Sequence, residues 1–197
     1  MRVIAGKYKS RLIKSPAGVP ARPNGRSGGE LRPTSDRVKE SLFGILGNFV
    51  MDKDVLDLFS GTGNLGIEAL SRGAKSCIFV DNNPRCITAI NKNLESLGIK
   101  EDVEVILKDV FKYVKQAGAN GLEFDLILLD PPYYKEMIKK SLRLLDNHII
   151  IKPLGFIVTE HYKTDDLPAP GELRHLELCR QEKYGGTFLS FYRRASK

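Results

Sequence analysis

The residues best suited to chemistry are Asp130, Pro131, Pro132 and Tyr133, which directly follow an apolar run. The two prolines fix φ and restrict the residue before each of them, so the loop is stiff. Because proline has no N–H, the loop presents mainly acceptors, namely the Asp130 carboxylate and the Pro131 carbonyl. Tyr133 can stack on a base that has left its own stack.

Two such acceptors are what methylation of a conjugated exocyclic amine requires. The lone pair of such an amine is delocalised into the base, and acceptors that hold its hydrogens favour a pyramidal nitrogen. They also stabilise the positive charge that develops on the nitrogen. We therefore predict that Asp130, Pro131, Pro132 and Tyr133 are catalytic. The alternative is a turn that only closes a strand, with a tyrosine in the core.

A glycine-rich segment upstream predicts a cofactor site. Gly61, Gly63 and Gly66 satisfy G-x-G-x-x-G between an apolar run and a helical pattern, and Asp81 follows Gly61 by 20 positions. This spacing is typical of dinucleotide sites. S-adenosylmethionine also carries a ribose and an adenine but no pyrophosphate. Asp57 favours S-adenosylmethionine over a dinucleotide, because a carboxylate at this position would repel a pyrophosphate and attract the ammonium of a methionine moiety.

Three acids in order, Asp57, Asp81 and Asp109, resemble the first three motifs of methyltransferases. Asp109 can accept a hydrogen bond from the adenine amino group while Val110 packs on the ring. For Asp57 the alternative role is to hold the glycine turn by a hydrogen bond. The predicted cofactor-binding residues are Asp57, Ser60, Gly61, Gly63, Asn64, Asp81, Asn82, Asp109 and Val110.

The elements that must position these residues alternate between strand and helix patterns, which predicts an α/β fold with a doubly wound parallel sheet. The expected strands are 55–59, 77–80, 103–107, 124–129 and 155–159. The first expected helix is capped by Thr34 or Ser35 and ends near Gly47. Four further helices are expected over 64–71, in the run that ends before Gly98, over 110–116 and over 134–146. Period-two alternation in 173–183 and 187–193, around Gly185 and Gly186, predicts a C-terminal antiparallel hairpin.

Charge is distributed unevenly along the 197 residues, whose formal net charge is +7. Residues 1–29 contain seven basic residues and no acidic one, whereas the rest of the chain is neutral. Such a segment favours a polyanionic partner. The alternatives are a solvated tail and, less favoured because no amphipathic helix carries these charges, an anionic membrane. We predict two units: a basic, RNA-binding arm at 1–33, with a hairpin over 1–14, and a catalytic domain at 34–197.

Cysteine and histidine usage indicates neither disulfides nor a metal site. The three cysteines have no C-x-x-C spacing, the three histidines show no ligand pattern, and no apolar run reaches 18 residues. These features predict a cytoplasmic protein without a metal or a membrane span.

Several segments together resemble the RsmD family of bacterial 16S ribosomal RNA guanine-N2 methyltransferases. They are RVIAGKY at 2–8, RPTSDRVKESLF at 32–43, DLFSGTG at 57–63, GIEALSRG at 66–73, DPPY at 130–133 and YGGT at 184–187. The opening residues and the 32–43 block are specific to this family. The DPPY motif also occurs in adenine, cytosine and glutamine enzymes. The stretch 24–29 is longer and richer in glycine than the family's usual loop.

This resemblance implies a Rossmann-like class I methyltransferase with a seven-stranded sheet whose last strand inserts antiparallel. It implies S-adenosylmethionine as donor and, as acceptor, one guanine of 16S ribosomal RNA in an assembled or partly assembled small subunit. We also predict a monomer. The predicted substrate-binding residues are Arg2, Lys7, Lys9, Arg11, Arg32, Thr34 and Arg37; for Arg32, Thr34 and Arg37 contact with the cofactor instead of RNA stays open.

Other functions fit parts of the sequence. N6-adenine methylation of DNA or RNA uses the same motif, and glutamine N5 enzymes usually have Asn in place of Asp130. A nicotinamide oxidoreductase would use the glycine loop but leaves Asp130 to Tyr133 and the basic arm unexplained. A catalytically silent nucleic-acid-binding protein is disfavoured by the intact motif.

Overall fold

The computed structural model describes residues 1–16, 36–100, 102–131 and 136–195. Five helices lie among them: α1 (Asp36–Leu46), α2 (Asn64–Ser71), α3 (Pro84–Leu97), α4 (Val110–Ala119) and α5 (Met137–Asn147). The seven strands are β1 (Asp54–Leu58), β2 (Ser76–Asp81), β3 (Val103–Leu107), β4 (Phe124–Leu129), β5 (Ile151–Tyr162), β6 (Leu176–Tyr184) and β7 (Thr187–Arg194).

All seven strands form one sheet in the order β3-β2-β1-β4-β5-β7-β6. Strands β1 to β5 pair in parallel, and β7 inserts antiparallel between β5 and β6. The strands are added outward from β1 first on one side and then on the other, so the strand order reverses between β1 and β4, where ligands bind in sheets of this kind. The predicted fold, including the inserted last strand, is confirmed.

Element ends differ from the sequence-based prediction in several places. Strand β5 is far longer than 155–159, because antiparallel pairing with β7 continues to Tyr162. Helix α4 continues to Ala119, three residues beyond its predicted end, whereas α1 ends at Leu46, as predicted near Gly47, and a 3-10 turn follows it. The cap residues Thr34 and Ser35 and the predicted start of α5 at Tyr134 lie outside the described residues.

Apolar side chains cover both faces of the sheet. One cluster joins α1, α2 and α3 to the face that carries Leu126, Leu128 and Val158. The other joins α4 and α5 to the face that carries Ile127 and Leu129. The inner strands β1 and β4 are thus buried on both sides, which explains why they are largely apolar without alternation, whereas the edge strand β3 is partly exposed.

The N-terminal segment 1–16 is a docked part of this structure. It forms a short hairpin with an antiparallel bridge between Arg2 and Leu12, as predicted. Val3 and Ile13 are 1% and 3% exposed and belong to the core cluster on the α1–α3 face. The predicted boundary between 1–33 and 34–197 lies in a stretch outside the described residues and stays a prediction.

Backbone contacts fix this segment to α2 and α3. The Glu68 carboxylate accepts from the N–H groups of Ile4 and Ala5 at 2.8 and 3.1 Å. The Asn93 side chain accepts from the N–H of Lys14 and donates to its carbonyl. Peptide groups that would otherwise lose their hydrogen bonds on burial are thereby satisfied.

Gly6 lets the hairpin approach α2. Its φ is +81°, and a Cβ atom there would lie 1.7 Å from the carbonyl oxygen of Ser71. The N–H of Lys7 donates to that same carbonyl oxygen at 2.7 Å. Only glycine fits this contact.

A buried lysine links the hairpin to the helices. Lys39 on α1 is fully buried, and its Nζ donates to the Arg2 carbonyl at 2.6 Å and to Asn64 Oδ1 at 2.7 Å. It also pairs with Glu68 at 3.2 Å. Burial lowers the pKa of Lys39 despite the opposing effect of Glu68.

The amino ends of the central strands are held by surface charges. Lys152 Nζ lies 2.8 Å from both Asp54 Oδ2 and Asp125 Oδ2, and Lys75 lies 3.6 Å from Asp54. These pairs bring β1, β4 and β5 together at the edge of the sheet opposite to the candidate site.

We expect Lys39→Met to lower the free energy of unfolding by about 3–5 kcal/mol, because it removes one of the two cations that pair with the buried Glu68 carboxylate and the donor to the Arg2 carbonyl and Asn64 Oδ1. The matched variant Lys75→Met removes an exposed pair and is expected to cost less than about 1 kcal/mol. Urea unfolding followed by circular dichroism measures both. Equal effects of the two substitutions would contradict this role of Lys39.

Candidate functional site

The parallel register brings the predicted site residues to one edge of the sheet. Leu58 of β1 pairs with both Val80 of β2 and Leu129 of β4, so these strands end at the same level. Asp81 follows Val80 and Asp130 follows Leu129. The glycine loop after β1 therefore lies between the two acids, at the point where the strand order reverses.

The turn after β1 is built from residues in unusual backbone conformations. Phe59, Gly61 and Gly63 have φ values of +60°, +55° and +75°. For Phe59 this conformation is strained, which is common where a loop must hold a ligand. Ser60 braces the turn, because its hydroxyl donates to the Asp57 carbonyl at 2.6 Å and accepts from the Val80 N–H at 2.9 Å.

Two buried carboxylates hold the turn from below. Asp57, 2% exposed, accepts from the Gly66 N–H at 2.9 Å, and Asp81 accepts from the N–H groups of Gly61 and Asn83 at 2.9 and 2.8 Å. The hydrogen bond from the Gly66 N–H agrees with the alternative considered for Asp57, in which its carboxylate holds the glycine turn. Its contact with a cofactor stays a prediction.

The pKa values of Asp57 and Asp81 are both raised. Burial raises the pKa of Asp57 to about 7, and the nearby Asp81 contributes to the rise. Burial likewise raises the pKa of Asp81, against three backbone hydrogen bonds that favour its charged form. A cation placed beside the pair would stabilise both charges, because opposite charge favours the ionised form.

The residues present fit S-adenosylmethionine, whose ammonium and sulfonium are such cations. Asn64 adds a donor for its carboxylate: the side chain is 6% exposed, its Oδ1 accepts from Lys39, and its buried Nδ2 has no hydrogen-bond partner among the described residues. An unsatisfied buried N–H is costly, so an acceptor is expected there. Asn64 also begins α2, where the helix dipole favours an anion.

The remaining predicted cofactor residues lie along the same edge. Asp109 follows β3 and caps α4 by accepting from the Lys112 N–H at 3.0 Å. Val110, 3% exposed, packs in the core cluster that faces α4 and α5. Asn82 is exposed directly after β2. Contact of these residues with an adenosine stays a prediction.

Of the predicted catalytic residues, the described part of the structure includes Asp130 and Pro131. Asp130 is half-buried at the end of β4, and Pro131 is buried. Pro132 and Tyr133 lie outside the described residues. The two acceptors proposed from the sequence therefore stand beside the glycine loop, one strand away.

The predicted RNA-binding residues that the structure describes divide into two groups. Arg2 pairs with Asp36 at 3.3 Å, and Arg11 donates to the Ser96 carbonyl at 2.8 Å, so both make contacts within the chain. Lys7 and Lys9 are exposed on the hairpin, with Lys7 Nζ 5.3 Å from the Tyr8 ring centroid, and Arg37 is exposed on α1. Arg32 and Thr34 lie outside the described residues.

Sequence reasoning did not identify Lys39 or Glu68 as part of this arrangement. Both lie in the segments that resemble the family, but their sequence context predicts only a charged residue on the surface of a helix. The signal was available for Lys39: it follows Val38 and precedes Leu42 and Phe43, so it borders the apolar face of α1. Through Asn64 and Arg2 it joins the end of the glycine loop to the basic hairpin.

Comparison with known proteins identifies the family. The family model described as "Conserved hypothetical protein 95" matches residues 1–193. The chain is 38% identical over 194 residues to a putative rRNA methyltransferase of Bacillus subtilis, covering 98% of this chain and 99% of the relative. It is 36% identical over 171 residues to ribosomal RNA small subunit methyltransferase D of Haemophilus influenzae, covering 86% and 83%.

The chain belongs to the RsmD family. Solved structures agree. A putative methyltransferase of Escherichia coli superposes with a TM-score of 0.79 at 26% identity, covering 100% of this chain and 99% of that one. A putative methylase of Haemophilus influenzae gives 0.76 at 28%, covering 99% and 98%. The predicted family and fold are confirmed, and both are those of S-adenosylmethionine-dependent methyltransferases.

More distant structures share the fold alone. An RNA methyltransferase of Salinibacter ruber, solved with S-adenosyl-L-homocysteine, has a TM-score of 0.64 at 18% identity and covers 83% of this chain and 93% of that one.

Within the described part of this RsmD-family chain, no helix is both long and apolar enough to cross a membrane.

The raised pKa of Asp57 predicts a pH dependence of cofactor binding. Asp57 is protonated below about pH 7 and charged above it, and the charged form attracts the ligand's ammonium. The affinity for S-adenosylhomocysteine should therefore rise between pH 6 and pH 8 (roughly one unit either side of that pKa), with proton release on binding. Titration calorimetry in buffers of different ionisation enthalpy measures both effects.

Asp57→Asn keeps an acceptor for the Gly66 N–H and should flatten this dependence. The matched control is Asp146→Asn, which changes a buried acid that accepts from the N–H groups of Arg174, His175 and Leu176, far from the glycine loop. It should leave the pH dependence intact. An affinity that does not change with pH in the unaltered protein would contradict the prediction.

Proposed function

We propose that this chain transfers a methyl group from S-adenosylmethionine to the exocyclic N2 of a guanine in 16S ribosomal RNA of the small subunit. The observation that carries the proposal is the position of Asp130 and Pro131. They directly follow β4, beside the glycine loop that directly follows β1. An amine held by their acceptors would thus face a cofactor held by the loop.

The cofactor supplies an electrophilic methyl on a sulfonium. The chain holds the amine: the Asp130 carboxylate and the Pro131 carbonyl accept its hydrogens and direct the nitrogen lone pair. Transfer would form a nitrogen–carbon bond as the sulfur–carbon bond breaks, and the Asp130 carboxylate would stabilise the positive charge that this places on the nitrogen. The excess proton then leaves through Asp130 to solvent. In-line positioning provides much of the remaining acceleration.

Ribosomal RNA as substrate is supported by the relatives and by the basic hairpin. Relatives that match most of the chain are named ribosomal RNA small subunit methyltransferases. Lys7 and Lys9 lie exposed on a hairpin that is tied to the glycine loop by Lys39, which contacts Arg2 and Asn64. Cations held in this way can bind phosphates while the base enters the site. Substrate in an assembled or partly assembled subunit is part of the proposal.

The function is tested by methyl transfer from labelled S-adenosylmethionine to undermodified small subunits, free 16S RNA and DNA. Digestion of the product to nucleosides identifies the methylated base. We expect N2-methylguanine in the small-subunit RNA. N6-methyladenine as the sole product would replace this function with adenine methylation.

We expect Asp130→Ala to reduce methyl transfer at least about 10²-fold, because it removes the charge that stabilises the developing cation. Binding of S-adenosylhomocysteine should be retained. The matched control Asp125→Asn changes an acid on the same strand at its amino end and should leave transfer unchanged. Loss of cofactor binding by Asp130→Ala would instead make Asp130 a cofactor residue.

We expect the double variant Lys7→Gln and Lys9→Gln to weaken RNA binding and to lower the slope of log affinity against log salt by roughly 1–2. The control pair Lys53→Gln and Lys75→Gln removes two cations at the opposite edge of the sheet. Filter binding over a range of salt concentrations measures both. A slope that the hairpin substitutions leave unchanged would contradict a role for this surface in RNA binding.

A further inference from the structure

A second acid stands beside Asp130 at the candidate site. Strands β4 and β5 pair in parallel with Leu129 opposite Thr159. Asp130 and Glu160 are the next residues along each strand, and neighbouring strands lie about 4.8 Å apart. The carboxyl edge of the sheet therefore presents two acids side by side, one after β4 and one within β5.

Glu160 is more deeply buried than Asp130. Glu160 is 5% exposed and lies inside β5, where Leu189 of β7 pairs with it. Its neighbours Val158 and Leu189 belong to the core cluster that faces α1, α2 and α3. Since alternate residues of a strand share a face, the Glu160 side chain lies on the same face as Val158. This is also the face on which the basic hairpin packs.

We infer that Glu160 selects guanine by accepting the hydrogen bond of its N1–H, while Asp130 and Pro131 hold the adjacent N2 amine. The inference rests on the proposed function. Guanine carries two adjacent donors on its Watson–Crick edge, N1–H and the N2 amine, which match two adjacent carboxylates. Adenine has an acceptor at N1, so it would bring a lone pair against a buried carboxylate, which is unfavourable.

In this role Glu160 determines which base is methylated, which differs measurably from a role in which it only supports the fold. A structural role would lower transfer to every base equally. A role in recognising N1–H changes the preference between bases that differ at N1. Guanine and 2,6-diaminopurine provide this comparison, because both carry the 2-amino group but 2,6-diaminopurine has an acceptor at N1.

The experiment first locates the methylated guanine by RNA digestion. Small subunits are then reconstituted with 16S RNA in which that guanine is kept or replaced by 2,6-diaminopurine through splinted ligation. The unaltered enzyme should prefer guanine by at least about 100-fold in kcat/KM, because a site built for a donor rejects its absence strongly. Glu160→Gln offers an amide donor to N1 and should reduce the preference to within about tenfold.

The matched control is Glu177→Gln, the same substitution at a partly exposed position of β6 where the carboxylate pairs with Arg193. It should keep the full preference for guanine. Equal transfer to the two bases by the unaltered enzyme overturns the inference without any variant. So does an unchanged preference in Glu160→Gln. In both cases guanine is still methylated, whereas failure of the proposed function appears as no methyl transfer to guanine at all.

Discussion

The carboxylate of Glu68 organises the half of the molecule that faces α1, α2 and α3. It is fully buried, yet it accepts from two backbone N–H groups of the hairpin, from Arg72 Nε at 2.8 Å, and pairs with Lys39. Removing a charge from water is costly unless such partners surround it. The requirement is met only when the hairpin, α1 and α2 are assembled together, so this single group makes their positions interdependent.

The two ends of the parallel strands use charge in opposite ways. At the amino end, Asp54 and Asp125 share Lys152 and pair in addition with Lys75 and Lys53, and the side-chain hydrogen bond from Lys152 lowers the pKa of Asp54. At the carboxyl end, Asp57 and Asp81 lie buried with raised pKa values and no cation within the described contacts. The sheet is therefore closed by its own charges at one end and prepared for cationic ligands at the other.

Much of this arrangement can be predicted from sequence, because the signals are local. Apolar runs, glycine turns and the acids that follow each strand all lie within short stretches, and parallel topology then places them at one edge. Lys39 and Glu68 escape prediction since they are 29 residues apart and meet only after α1 and α2 pack. Glu160 escapes for a related reason: its neighbour Asp130 lies on another strand, and only the β4–β5 register reveals the pair. The length of β5 likewise depends on its partner β7.

The docking of the first residues onto later ones has a consequence for biosynthesis. Ile4, Ala5 and Lys14 leave the ribosome early, but their partners Glu68 and Asn93 follow 64, 63 and 79 positions later. Closing loops of that length has an entropic cost that is recovered only once α2 and α3 exist. During translation the basic hairpin thus emerges before the surface it needs. Its exposed lysines take up an ordered arrangement only after the first two strand–helix units have folded.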